Sequence, residues 1–165
     1  MNDILTHEIE LYSLESFQTL LDHEVHRSRR YKTPLTLIHL AIETNPDRPE
    51  IQHSAEMFTI NILDVQLRDT DSPCRKGNEF LVMMPATDEQ GGRVVCERLA
   101  KLFNEPHQTF DRVSFSMSIF VGMASIPGGS SLSSNNLTQQ AAKAMQHARD
   151  HRLTTAVIFS EITNK

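Results

Sequence analysis

Arg68-Asp-Thr-Asp71 sets an arginine and a carboxylate three residues apart. A guanidinium fork can donate two hydrogen bonds to a phosphate or to the edge of a planar base, and a carboxylate can accept from N–H groups of the same partner. Taken alone, the pair reads as a solvated ion pair at a helix end, worth about 0–1 kcal/mol. Five residues further on, Lys76-Gly77-Asn78 is a turn signal between two short extended runs, with Glu79 and Phe80 opening the second. Here Arg75 and Lys76 read as edge-strand charges that discourage sheet pairing. Cys74 and Cys96 form no Cys-x-x-Cys pair and no Cys/His zinc spacing, and no metal site is read from the histidines. His39 lies within an apolar run and reads as a core or edge residue, whereas His23, His26, His147 and His151 read as surface positions on helices. Met83, Met84, Met117 and Met145 read as packing residues.

The elements that position these groups follow from hydrophobic period. Leu14, Phe17, Leu21 and Val25 form one helical stripe ending near Tyr31, ahead of Pro34. Leu35 to Ile42 is a nearly continuous apolar run, as in a strand buried on both faces. A loop with Pro46 and Pro49 leads to a second helix marked by Ala55, Phe58, Ile62 and Val65. Segments Ser72–Arg75 and Phe80–Met84 flank the turn and predict a hairpin. A third helix carries Val95, Leu99 and Leu102; Ser114 to Val121 alternates serine with apolar residues, predicting a strand with one polar face. Residues 127–136 read as one surface loop, Leu137 to Ala148 as the last helix, and Thr154 to Phe159 as a final strand. The expected order is helix, then β-α-β-β-α-β-α-β. That is an α/β (α+β) layer protein with a single mixed central sheet flanked by helices, an elaboration of a ferredoxin-like βαββαβ plan. One domain spanning 1–165 is expected, with an N-terminal arm at 1–10 and a tail at 160–165.

Composition narrows the classes of partner. The chain has 165 residues, 39% hydrophobic and 22% charged, enough to bury a core. Sixteen Lys and Arg against 21 Asp and Glu give a net charge of −5. General adhesion to nucleic acid or anionic lipid is not expected, but a local basic pocket for one small anion is compatible with this balance. Neither a leader segment nor an apolar span of about 20 residues is read, and the unpaired cysteines predict a reducing, cytoplasmic setting.

The residues around the turn carry a family resemblance. Arg68-Asp-Thr-Asp71-Ser-Pro-Cys-Arg75, Lys76-Gly-Asn-Glu-Phe80 and Leu81-Val-Met-Met-Pro85-Ala-Thr-Asp88 together resemble the GGDEF domain family, the diguanylate cyclases. Arg29-Arg-Tyr-Lys-Thr-Pro-Leu35, Ser116-Met-Ser-Ile119 with Val121-Gly-Met-Ala-Ser125, and Ala144-Met-Gln-His-Ala-Arg149 extend the likeness over nearly the whole chain. The resemblance implies a fold built to join two GTP molecules into cyclic di-GMP across a symmetric dimer, with Mg²⁺ held by carboxylates.

The catalytic positions depart from the family pattern. Where the resemblance implies a metal-binding Asp at the end of the first strand, this chain has Ala41, and Glu43 stands at the acidic position that is not a ligand. Asn78 replaces the carboxylate of the signature, and a neutral amide binds a hard cation weakly and cannot act as a base. One signature glycine is replaced by Lys76, and the loop after the first strand is shortened around Pro46 to Pro49. His53 stands where the next helix should begin with an acidic residue. Leu153 stands where a basic residue should hold the triphosphate, although Arg149 keeps one positive charge. No catalytic residue, metal or other cofactor is therefore expected, and no cyclase activity.

One site implied by the resemblance survives. Many members carry an inhibitory product site made of Arg-x-x-Asp five residues ahead of the signature glycines and an arginine on the following helix. Arg68, Asp71 and Arg98 match those positions. Two arginines and one carboxylate per chain offset the two negative charges of cyclic di-GMP. The resulting expectation is a catalytically inactive receptor for cyclic di-GMP that signals to a protein partner, possible as a homodimer because the ligand can bridge two sites. The alternatives are a nucleotide-free interaction or dimerisation module, which would present an exposed apolar patch, and an active cyclase.

Overall fold

The structure is a computed structural model that describes residues 11–45 and 48–162. Helix α1 (Leu14–Tyr31) starts where the Ser13 hydroxyl accepts the Ser16 N–H, carries Glu15 in its first turn and Arg29 and Arg30 in its last, and stops at Lys32 in the left-handed region. Strand β1 (Leu35–Asn45) is buried from Leu35 through Ile42, as the continuous apolar run predicts. Helix α2 (Pro49–Gln66) begins with proline at its first position, where no amide hydrogen is needed. Strands β2 (Ser72–Lys76) and β3 (Glu79–Pro85) form the predicted hairpin. Their register pairs Lys76 with Glu79, so Gly77 and Asn78 make a two-residue turn. Gly77 takes φ +63° at the first central position, where a type II′ turn calls for glycine.

Helix α3 (Glu89–Phe103) is capped by the Asp88 carboxylate, which accepts the Gly91 N–H at 2.8 Å. Strand β4 (Gln108–Phe110) and strand β5 (Val113–Ile126) follow, joined through Asp111 and Arg112. Helix α4 (Ser134–Asp150) is capped by Ser133. Strand β6 (Val157–Ile158) and the short helix α5 (Phe159–Ile162) end the described chain.

The strands lie in the order β2-β3-β1-β5-β4, antiparallel throughout, with β6 added parallel to β5. The mixed sheet flanked by helices is the architecture read from the sequence. Strand β1 occupies its centre and separates two cores. Ile38, Leu40 and Ile42 pack into one core with Leu63, Leu99 and Phe103 of α2 and α3. Leu35 and Leu37 meet α1 and α4 side chains, and Ala41 meets Phe120, Ala144 and Met145.

Several boundaries differ from expectation. The final strand shrinks from Thr154–Phe159 to two residues, because only Val157 and Ile158 reach partners on β5, at Gly122 and Met123, and Phe159 already enters α5. The expected tail at 160–165 is therefore helical as far as Ile162. Strand β4 was not expected, and the loop at 127–136 ends at the Ser133 cap. Strand β5 is also longer than predicted and buried on both faces over its second half, so its serine alternation describes only the first half. The arm at 1–10 and Pro46 lie outside the described residues.

Candidate functional site

Arg68 and Asp71 form a turn between α2 and β2 that closes on itself. The Asp71 N–H donates to the Arg68 carbonyl, and the Arg68 N–H donates to Asp71 Oδ2, each at 2.9 Å. The guanidinium folds over the same carboxylate, Nη2 to Oδ1 at 3.1 Å and Nε to Oδ2 at 3.4 Å. The Asp71 side chain is 1% exposed and that of Arg68 56%. The pair is thus not the fully solvated one that its spacing alone describes. Nη2 of Arg68 also donates to the Thr87 hydroxyl at 2.6 Å and to the Pro85 carbonyl at 3.3 Å, which ties the turn to the β3–α3 connection.

Arg98 approaches from α3. Its Nη2 donates to the Gln66 carbonyl at 3.1 Å, satisfying a main-chain acceptor at the end of α2 that the helix leaves open. Arg68, Asp71 and Arg98 share one open cavity of about 270 Å³, whose wall also includes Gln66, Thr87, Met84 and Val95. The family resemblance named the three charged residues. Thr87 and Gln66 were missed, since their place depends on the β3–α3 turn and on the end of α2.

The hairpin region holds a different set of contacts. Ala41 is fully buried and pairs across the sheet with Glu79 and Phe120. Asn78 folds onto β1: its carbonyl accepts the Ile42 N–H and its side-chain amide donates to the Ile42 carbonyl, both at 3.4 Å. Glu43 pairs with Arg152 at 2.6 Å. Glu79 lies 2.7 Å from Nε2 of His39. That nitrogen therefore carries the proton, and the buried Nδ1 has no partner among the described residues. Burial pushes the His39 pKa below its ordinary value of 6.5, and the hydrogen bond to Glu79 only partly opposes this. Lys76 and Arg149 add a smaller push in the same direction.

Other polar residues have structural partners as well. Arg75 donates to the Gly77 carbonyl at 2.9 Å and pairs with Glu56 of α2, so it braces the hairpin. Both cysteines are buried and unpaired. Burial raises the Cys74 thiol and pushes Cys96 up to about 12, so neither presents a thiolate. Among the described residues no group of three or more His, Cys, Asp and Glu could hold a metal ion. His147 and His151, read as surface residues, stack with ring centroids 4.2 Å apart. Their four-residue spacing was the sequence signal for this pairing, and the sequence reading passed over it.

Comparison with known proteins places this geometry in a family. The family model described as "Diguanylate cyclase, GGDEF domain" matches residues 58–154, more than half of the chain. The chain belongs to the GGDEF domain family. Its GGDEF fold also matches solved structures. One is the active GGEEF domain of a diguanylate cyclase from Vibrio cholerae, at 15% identity and TM-score 0.77, covering 91% of this chain and 98% of that one. Another is the GGDEF domain of DgcB from Caulobacter crescentus in complex with c-di-GMP, at 13% identity and TM-score 0.78, covering 91% and 92%. A third is the diguanylate cyclase SiaD from Pseudomonas aeruginosa in complex with its activator SiaC, at 19% identity and TM-score 0.78, covering 90% of this chain and 58% of that one. No curated protein matches the sequence. Within the described part of this GGDEF domain, no helix is long and apolar enough to cross a membrane.

Proposed function

We propose that this GGDEF domain is non-catalytic and binds cyclic di-GMP through Arg68, Asp71 and Arg98, passing the occupancy of that site to a protein partner. The observation that carries the reading is the convergence of these three side chains, from two separate parts of the chain, on one cavity. At about 270 Å³ the cavity is slightly below the usual size of a small-molecule site, so it receives one end of the ligand and leaves the rest for solvent or for a second copy. Support for the ligand class comes from the c-di-GMP complex of DgcB, and for a protein partner from the SiaD–SiaC complex. The two buried, unpaired thiols fit a reducing compartment such as the cytoplasm.

The absence of catalysis rests on Ala41 and Asn78. A buried methyl and an amide engaged with Ile42 supply neither a metal carboxylate nor a base where phosphoryl transfer needs charge neutralised. A second reading, a pure interaction module, draws on the Arg68 contacts. Both Nε and Nη2 already have protein partners, so the ligand must use Nη1 or displace Asp71.

Isothermal titration with cyclic di-GMP separates the two readings. The receptor reading expects binding at micromolar or tighter, about −8 kcal/mol or better, lost in Arg68→Ala. Absence of heat in the folded wild-type chain rejects it in favour of the interaction module. Incubation with GTP and Mg²⁺ completes the test: no cyclic di-GMP is expected, and any metal-dependent conversion overturns the non-catalytic reading.

A further inference from the structure

We propose that His147, in the last turn of α4, and His151, at its C-cap, form a two-histidine site for a divalent late transition-metal ion such as Zn²⁺. This site is independent of the Arg68 cavity, which lies among α2, α3 and the β3–α3 turn. Residues four apart share one side of a helix, and the two imidazoles stand with ring centroids 4.2 Å apart and planes tilted by 30°.

The hydrogen bonding fits metal ligation. Nδ1 of His151 lies 2.9 Å from the His147 carbonyl, and a carbonyl only accepts, so Nδ1 carries the proton. The lone pair is left on Nε2, in the tautomer that metal-binding histidines adopt when their other nitrogen donates to a main-chain oxygen. Neither ring nitrogen of His147 has a hydrogen-bond partner among the described residues.

Local electrostatics agree. The end of a helix exposes carbonyl groups that favour a cation. Of the two neighbouring arginines, Arg152 pairs with Glu43 and covers the Phe120 ring, whereas Arg149 donates from Nη1 to Gln146 and keeps its charge. Because no third His, Cys, Asp or Glu joins the pair among the described residues, water completes the coordination. Two neutral nitrogens and water suit Zn²⁺, Ni²⁺ or Cu²⁺ and discriminate against Mg²⁺, which prefers oxygen ligands.

Calorimetric titration of the full chain with Zn²⁺, and separately with Mg²⁺, tests the site. One Zn²⁺ per chain is expected, weakened about tenfold or more by His147→Ala and equally by His151→Ala. His23→Ala/His26→Ala, which removes the other close histidine pair, leaves the binding unchanged, and Mg²⁺ gives no heat. Each variant is checked to keep the metal-free melting temperature of the parent, as expected for changes at partly or fully exposed side chains. The proposal is overturned if Zn²⁺ does not bind, if binding survives both single substitutions, if only one of them matters, or if the His23 and His26 variant removes it.

Discussion

Asp71 and Arg68 contribute unequally to the pair they form. The Asp71 carboxylate is enclosed and accepts a main-chain N–H as well as the guanidinium, so Asp71→Ala strands a donor that water reaches poorly. Hydrogen bonds to charged groups contribute about 1.5–3 kcal/mol, and Asp71→Ala is expected to lose that much in urea denaturation. Deleting the exposed Arg68 side chain instead opens the carboxylate to water, and its cost is expected to be about 1 kcal/mol or less. Equal losses for the two variants would contradict this account. The asymmetry makes Arg68→Ala the cleaner probe of the proposed binding, since it removes the proposed ligand contact and keeps the turn. Arg68, Asp71 and Arg98 could be named as candidates from the sequence because the family pattern places them relative to the signature turn. The His39–Glu79 contact was not legible, because residues 40 apart meet only through the register of β1 on β3.

At the scale of elements, legibility followed length. Helices α1 to α4 carry hydrophobic stripes, β1 is a long apolar run, β3 follows a turn signal and β5 begins with a readable alternation, and all were recognised. Strands β4 and β6 have three and two residues, too few to show an alternation, and exist because β5 offers them an edge. The fit of α4 against that same strand is set by Gly122. A Cβ there would stand 2.0 Å from the Met145 nitrogen and 2.6 Å from its Cα, both main-chain atoms of α4. Side-chain overpacking costs about 1–3 kcal/mol; here the whole helix must move, so Gly122→Ala is expected to reach or exceed the upper figure. Gly77→Ala meets nothing within 4 Å and suffers only from its positive φ. That backbone term is about 1–2 kcal/mol. Chemical denaturation of the two variants checks the order, and a Gly77→Ala loss equal to or greater than that of Gly122→Ala would refute the packing argument.

For the molecule as a whole, His39 makes stability depend on pH. It lies in the middle of β1, bonded on one side to β3 and on the other to β5, so a charge there strains the sheet on which every helix packs. The groups acting on it are Glu79 on β3, which favours the charged ring, and Lys76 on β2 and Arg149 on α4, which oppose it; burial dominates all three. The folded pKa therefore lies below 6.5, the ordinary value. Above that pH the ring is neutral in both states and contributes no pH dependence. As pH falls through 6.5 the unfolded chain takes up the proton first, so stability drops until the lower folded pKa is reached and then levels off with respect to this group. His39→Gln keeps an amide donor for Glu79 but cannot titrate. The melting temperature of the parent is expected to fall more steeply than that of His39→Gln between about pH 6.5 and 5.5, and to run parallel to it above pH 7. Carboxylates add their own losses at lower pH in both proteins, which confines the diagnostic window to the histidine range. Parallel curves through that window would show that Glu79 offsets the burial of the ring, and that the buried pair carries no acid sensitivity.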